Sequence, residues 1–499
     1  MKLAARAEAA LGPELRVRLR GEAWVAAVWV VGSAIVAAAQ PDLDRRITGA
    51  AAAAAAVTTI LAVSYSTADP GRRYVRSVLG AIVVVAVTTN WLFHVLGVAD
   101  SGAFFGVGGL DERITLPLLF VLLAPLAARR LPRRQAKPEA LRAWVGERWR
   151  APGRMDAIVA AYASVVAMPA LLIGLAHHDR LLYVAQDLGL IVFFVFMYVV
   201  GRTVDATSAR ESAGDVVGVL LTLAVAQFVL FGWQPFPLDV FVEAACAGAI
   251  AFLLLRPRST LLLPVAVAIL LLLGEAVSLT GTTGSSTGVQ LAAAVGVLAY
   301  LALRMRPLVP KPLLVAVAVL GVAGFLALTP DGATVRGQYH GPDPSNQGRT
   351  FEAQRVRAAI RSSPVSFVFG RGLGGTIDER RAPAAFAKSL VTANRDLAHV
   401  QEVHLLPYSF LLKEGMLGLA WLAAFVLGVA VLMFRGLERA ARDRDPTIVV
   451  YGALPLIAVA QAFAAASHLQ ANPLNTLGLG ILVTCLARPR AAASETSVS

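Results

Sequence analysis

LLYVAQDLGLIVFFVFMYVVG, residues 181–201, carries a single charged side chain, Asp187, in helix-length apolar surroundings. About twenty apolar residues let an α-helix cross a hydrocarbon core about 30 Å thick. Working outward from this run, further candidates lie near 156–176, 214–232, 238–255, 260–276, 288–304, 312–329, 409–434, 447–467 and 474–487. Toward the N-terminus they lie near 21–39, 47–65, 78–98 and 114–128, which makes fourteen, the fourth and last being short. Composition points the same way: 57% of the 499 residues are hydrophobic, 15% are charged, and mean hydropathy is +0.67. A soluble chain could not cover that much apolar surface with so few charges. The expected fold class is an all-α polytopic membrane protein of about 12–14 transmembrane helices with one large extracytoplasmic loop.

Charge tests this layout independently. The formal net charge of +13 invites a nucleic-acid partner, but most Lys and Arg fall in short stretches between apolar runs, where membrane proteins carry their orientation signal. No nucleic acid is expected. Arg72, Arg73 and Arg76 follow the second run; Arg129, Arg130, Arg133, Arg134, Lys137 and Arg142 follow the fourth. Arg256 and Arg258 follow the eighth, Arg304, Arg306 and Lys311 the tenth, Arg435, Arg439, Arg442 and Arg444 the twelfth, and Arg488 and Arg490 the last. Each group comes after an even-numbered run, so both termini are expected to be cytoplasmic. The segments after odd runs, HHDR at 177–180, GWQPFPLD at 232–239 and TGTTGSSTG at 280–288, are poor in positive charge. Met1 to Arg20, with AAAQ at 37–40, resembles a signal peptide, but the apolar run between them is long enough to span. Cys246 and Cys485 each lie inside an apolar run and read as buried thiols, without disulfide or metal-ligand spacing. The expected organisation is a transmembrane bundle over 1–329, an extracytoplasmic catalytic loop over 330–403, further transmembrane helices over 404–487 and a cytoplasmic tail over 488–499.

The loop breaks the charge rule. It is external by count, yet it holds Arg336, Arg349, Arg355, Arg357, Arg361, Arg371, Arg380, Arg381, Lys388 and Arg395. Long loops cross regardless of charge, but loops of this length are uncommon without a function, and an anion site is expected there. Within it RTFEAQRVRAAIR, 349–361, has helical spacing, with Ala353, Val356 and Ile360 on one face and Arg357 and Arg361 on its flank. Ser362-Ser363-Pro364 ends that helix. GRGLGG at 370–375 reads either as a flexible turn or as a glycine cradle whose backbone N–H groups and Arg371 approach an anion. The loop closes on HLLPYSFLLKEGMLGLAWLAAF, 404–425. Pro407 suits a first helical turn, so His404 should precede the helix, with Tyr408 one turn on. Gly415 and Gly418 read as close-packing positions. A histidine beside an arginine-rich loop can serve as a general base near neutral pH.

These motifs, in this order, resemble the O-antigen ligase and O-antigen polymerase family of bacterial membrane glycosyltransferases. The resemblance rests on Gly348-Arg349 opening a helix, the turn Gly370, Gly372, Gly374, then His404 heading a helix that continues Glu414-Gly415-x-x-Gly418. It implies a C-type glycosyltransferase-like fold in the bacterial cytoplasmic (inner) membrane. It further implies a polyprenyl-pyrophosphate-linked glycan donor and a glycan or lipid-glycan hydroxyl acceptor, with no metal and no cofactor. Carried over, His404 is the catalytic base and Arg349 and Arg371 are pyrophosphate ligands. Arg355, Arg357, Arg361, Tyr408 and Glu414 complete the expected substrate-binding set. The chain has Leu405 where the family usually has Asn, and no Ser-Arg pair within 280–288. Ligase and polymerase share this donor chemistry.

Asp187, Glu243 and Glu275 fall in the outer portions of their runs. Ionisable groups there either face a polar cavity or pair with a neighbour. Two other readings therefore stand beside glycan transfer: a transporter or flippase using these acids, and a non-catalytic polysaccharide-assembly protein. Membrane lipids are partners in all three.

Overall fold

Helix-length apolar runs become helices here because a buried or lipid-facing backbone must satisfy its own N–H and C=O groups. The computed structural model describes residues 153–177, 181–231, 239–255, 285–305, 344–381, 399–400, 403, 406–464 and 473–487, with 72, 75, 76, 78, 79, 268, 269 and 272. The chain divides into two compact units, Met1–Leu131 and Pro132–Ser499. Of the first, only a few helical residues are described, Arg72 to Leu79. The helices of the second unit are α1 (Arg154–His177), α2 (Leu181–Thr203), α3 (Ala206–Phe231), α4 (Asp239–Leu255), α5 (Ser285–Arg304), α6 (Pro344–Ile360), α7 (Pro364–Phe369), α8 (Leu406–Asp443), α9 (Thr447–Ala464) and α10 (Pro473–Ala487). Among the described residues there is no strand, only an isolated antiparallel bridge between Ile377 and Val400.

α1, α2 and α8 are long and apolar enough to cross a membrane. α1 and α8 also expose large apolar side chains, among them Val165, Met168 and Leu172 on α1 and Leu427, Val431 and Phe434 on α8. Exposed stripes of this size fit a hydrocarbon solvent better than water. The apolar runs near 156–176, 181–201, 238–255, 288–304, 447–467 and 474–487 match described helices within a few residues. Two helices are longer than expected. α3 starts at Ala206 because Asp205 caps it, its Oδ1 accepting the N–H groups of Thr207 and Ser208 at 2.9 Å each. α8 runs on through Arg435–Asp443, read from the sequence as a loop. Arg439 and Asp443 pair there at 3.2 Å, and the helix ends at Arg444 with φ 51°. The runs near 21–39, 47–65, 114–128 and 312–329 lie outside the described residues, as do most of 78–98 and 260–276.

α9 packs against α4, α5, α8 and α10, and α10 lies along α2. A Cβ on Gly201 or Gly480 would strike backbone of the facing helix, so the α2–α10 approach depends on both glycines. Cys246 and Cys485 are buried free thiols, as expected.

At the start of α1, Asp156 accepts from Gly153 N–H (2.6 Å), Arg202 Nε (2.8 Å) and Nη2 (3.1 Å), and Tyr198 OH (2.7 Å). Arg202 also donates to Thr484 Oγ1 at 2.9 Å. Glu438 of α8 meets Arg304 and Tyr300 of α5, and Asp445 meets Arg210 of α3, so the polar ties of α1, α2, α3, α5, α8 and α10 gather at one end. The opposite ends of α1, α2 and α8 receive the segment 344–381.

Candidate functional site

The polar 344–369 segment folds by capping and a single apolar face. α6 begins at Pro344, five residues before the expected start, and buries Ala353, Val356 and Ile360 as the spacing predicts. These last two join Ile377, Val400, Val403, Leu411 and Leu412 in one cluster, which seats α6 on the beginning of α8. Ser363 then caps α7, its hydroxyl accepting Ser366 N–H at 3.0 Å, with Pro364 in the first turn.

α8 is interrupted at Gly415, whose φ of 66° and ψ of −155° are not helical. A helix break leaves the carbonyls of the preceding turn without intrahelical partners. The glycine turn supplies them: Arg371 N–H donates to Leu412 C=O at 2.7 Å and Gly372 N–H to Lys413 C=O at 3.1 Å. Leu373 N–H donates to Ala170 C=O at 2.9 Å, and Gly374 N–H to Asp187 Oδ2 at 2.7 Å. Gly370 and Gly375 donate to Ser366 and Gly372 carbonyls. Every amide from Gly370 to Gly375 thus has an acceptor inside the protein, which corrects the reading of this turn as an anion cradle built from backbone N–H groups. The turn is a plug stitching α1, α2 and α8 together, and only its side chains are left for a ligand.

The glycines make that plug possible. Gly370, Gly372 and Gly374 have φ of 75°, 85° and 80°. A Cβ on Gly372 would strike Gly174 of α1, and one on Gly370 would sit 2.5 Å from Glu414 N. The two glycine motifs of the sequence therefore meet, Gly370 lying across Gly415. Gly415 serves close packing as expected, its Cα facing the Val368 carbonyl of α7, whereas Gly418 does not. Gly415 is also the break, and Gly418 leaves room for the Glu414 carboxylate, which would lie 2.8 Å from a Cβ placed there.

Asp187 also accepts from Lys413 Nζ at 2.6 Å, with side chains 3% and 9% exposed. Of the two expectations for this acid, the paired one is found. Glu414, expected to touch substrate, is instead buried and accepts from Tyr162 OH at 2.8 Å. Tyr162 opens a π-helical turn, Tyr162–Ala167, in the middle of α1 and stacks on Trp421 at 4.0 Å between ring centroids. Glu243 is buried within α4, and Glu275 lies outside the described residues.

The remaining described candidates lie on α6, on the turn itself and at the start of α8. Arg357 Nη2 donates to Tyr408 OH at 2.7 Å, and its guanidinium carbon lies 5.6 Å from the Tyr408 ring centroid. Tyr408 and Leu412 are four residues apart, on one face of α8. The side chain of Arg357 and the backbone of Arg371 are thus anchored about 6 Å apart along that helix. Arg371 is exposed, Nη1 reaching Thr376 C=O at 3.5 Å, and Arg361 is exposed at the end of α6. Arg355 covers Phe351, 5.1 Å from the ring centroid. The Arg380 side chain, with its own amide, holds Asp378 below the usual carboxylate range. Arg349 lies in α6, its side chain outside the described residues, as is His404, two residues before α8. Among the described residues no group of three His, Cys, Asp or Glu comes together to hold a metal.

Sequence reasoning missed Lys413 and Tyr162. The signal available was the polar pair Lys413-Glu414 at the head of an apolar run, which requires partners once buried. Tyr408→Phe keeps the ring and removes the phenolic acceptor of Arg357. The expected cost is at most about 1 kcal/mol for so exposed a pair, read as a small fall in the thermal midpoint in detergent.

The fold and site define a helical protein with membrane-length apolar helices and a basic, glycine-plugged segment docked on their ends. No protein-family model matches the chain, and no curated protein matches it.

Proposed function

We propose that the chain transfers a glycan from a polyprenyl-pyrophosphate-linked donor to a hydroxyl acceptor at the outer face of the bacterial cytoplasmic membrane, as an O-antigen ligase-like or polymerase-like enzyme. The observation that carries this reading is the docking of GRGLGG onto Lys413-Glu414-Gly415, which fixes Arg357 and Arg371 on the α8 segment that His404 immediately precedes. A lipid-linked donor holds its pyrophosphate at the membrane surface, where this segment meets the apolar helices. In the proposed reaction His404 takes the proton of the acceptor hydroxyl. The freed oxygen bonds the anomeric carbon, and the bond from that carbon to the pyrophosphate oxygen breaks. Polyprenyl pyrophosphate leaves with the electron pair, its growing charge met by the guanidinium groups of Arg349, Arg371 and Arg357. The layout of about 12–14 helices, with both termini cytoplasmic, belongs to the same proposal.

Of the three acids the transport alternative invokes, Asp187 is paired with Lys413 and Gly374, Glu243 is buried within α4, and Glu275 lies outside the described residues. His404→Ala and Arg349→Ala, expressed in cells lacking the native protein, test the proposal. Surface glycan is expected to disappear and lipid-linked glycan to accumulate, with protein levels in the membrane unchanged. Normal surface glycan in both variants would overturn it in favour of a non-catalytic role.

A further inference from the structure

The short helix α7 presents one face that no described residue covers. Pro364, Val365, Phe367 and Val368 are all exposed, the last three by 55%, 47% and 41%. At about 100° per residue these four occupy one arc of about 160°. Ser366 and Phe369 fall on the opposite, half-buried side. The outward half of α7 is therefore wholly apolar, in a segment that is otherwise strongly basic.

The depth of α7 follows from its contact with α8. A Cβ on Gly415 would sit 2.5 Å from Val368 C=O, so the two backbones touch there. From Met416 to Phe434 α8 carries no charged residue, bounded by Lys413-Glu414 on one side and Arg435 on the other. That run is about 28 Å long as a helix, close to the roughly 30 Å of a hydrocarbon core. Gly415 therefore marks one edge of the apolar layer, and α7 lies at that edge. Beside Gly415 and Gly174 the flanking residues are also apolar and exposed, Met416 at 39% and Leu175 at 52%. Exposed Arg361 and Arg371 flank α7 in the chain, where they match anionic headgroups.

From this we infer that α7 is a membrane-seating helix, its apolar half inserted at the acyl boundary of the bilayer, holding the glycine plug and its arginines at headgroup height. The inference rests on the membrane reading of α1, α2 and α8 and is independent of glycan transfer, so its test needs no activity measurement.

Nitroxide labels are placed at Val365→Cys, Phe367→Cys and Val368→Cys in the full-length protein in phosphatidylglycerol–phosphatidylethanolamine nanodiscs. Gln354→Cys, on the exposed side of α6, is the control. One set carries Cys246→Ala and Cys485→Ala; a second keeps both native cysteines, which are buried from the label. At the three α7 sites, collision with oxygen is expected to exceed collision with a water-soluble nickel chelate several-fold, with the reverse at Gln354. Preferential collision with nickel at the α7 sites would overturn the inference, since that face would then stand in water. Shielding from both reagents would also overturn it, in favour of a protein covering α7.

Discussion

Lys413→Met is expected to destabilise the protein by about 3–5 kcal/mol, the usual cost of leaving one member of a buried ion pair uncompensated. Asp187→Asn should cost a similar amount, because Lys413 Nζ would lose a carboxylate partner 2.6 Å away in a site almost closed to solvent. The double variant should recover much of the loss. The amide side chain introduced at position 187 still offers a carbonyl oxygen to Gly374 N–H, and the thioether introduced at position 413 fills the lysine's volume without a charge. Unfolding in mixed detergent micelles, followed by tryptophan fluorescence, gives the cycle. Additive losses would mean that the pair does not act as a unit. The proposed glycan transfer should fall with the single variants too, since Asp187 and Lys413 both hold the glycine turn that carries Arg371.

Gly415→Ala is expected to prevent the 344–381 segment from docking. A φ of 66° with ψ of −155° belongs to a region that glycine alone occupies readily, and strain there costs about 1–3 kcal/mol. The added methyl would also meet Gly370 N and the Val368 carbonyl, both backbone, so no side-chain rotation relieves it. Gly370 has matching geometry, φ 75° and ψ −165°, and faces Glu414 and Gly415 backbone atoms in turn. Gly370→Ala should therefore behave alike. Gly296→Ala, inside α5 with open space around it, is the control and should be neutral or slightly stabilising. Limited tryptic cleavage after Arg361, Arg371 and Arg380 reads the outcome: faster cleavage than in the wild type for the first two variants, the wild-type rate for the third. Wild-type resistance in Gly415→Ala would mean that the plug tolerates a side chain.

The elements legible in the sequence were those set by periodicity and hydropathy. Runs such as 181–201 and 447–467 announce their helices, and the Ala353–Val356–Ile360 face announces its burial. What remained hidden was set by pairing across distance. Nothing local tells that Asp187 and Lys413, 226 residues apart, neutralise each other. Nothing local tells that the two glycine motifs are halves of one backbone crossing. A glycine turn beside an arginine suggests an anion cradle, and only the acceptors Leu412, Lys413, Ala170 and Asp187 reveal that its amides are occupied. The helix α7 escaped notice because six residues are too few to show a period.

The π-helical turn Tyr162–Ala167 gives α1 a role as a phase adapter. Asp156 on one side of it must face Arg202, and Gly174 on the other must face Leu373. A wide turn of this kind accommodates an additional residue, and each residue of an ordinary α-helix turns the chain by about 100°. Deleting one residue within 163–167 would close the wide turn into ordinary α-helix and keep Gly174 in phase with Asp156. Deleting one within 157–161 or 168–173 would instead swing Gly174 out of register by about 100°. A deletion in the flanking turns would keep the hydropathy and lose the seam, so a one-residue deletion should be better tolerated inside the wide turn than on either side of it.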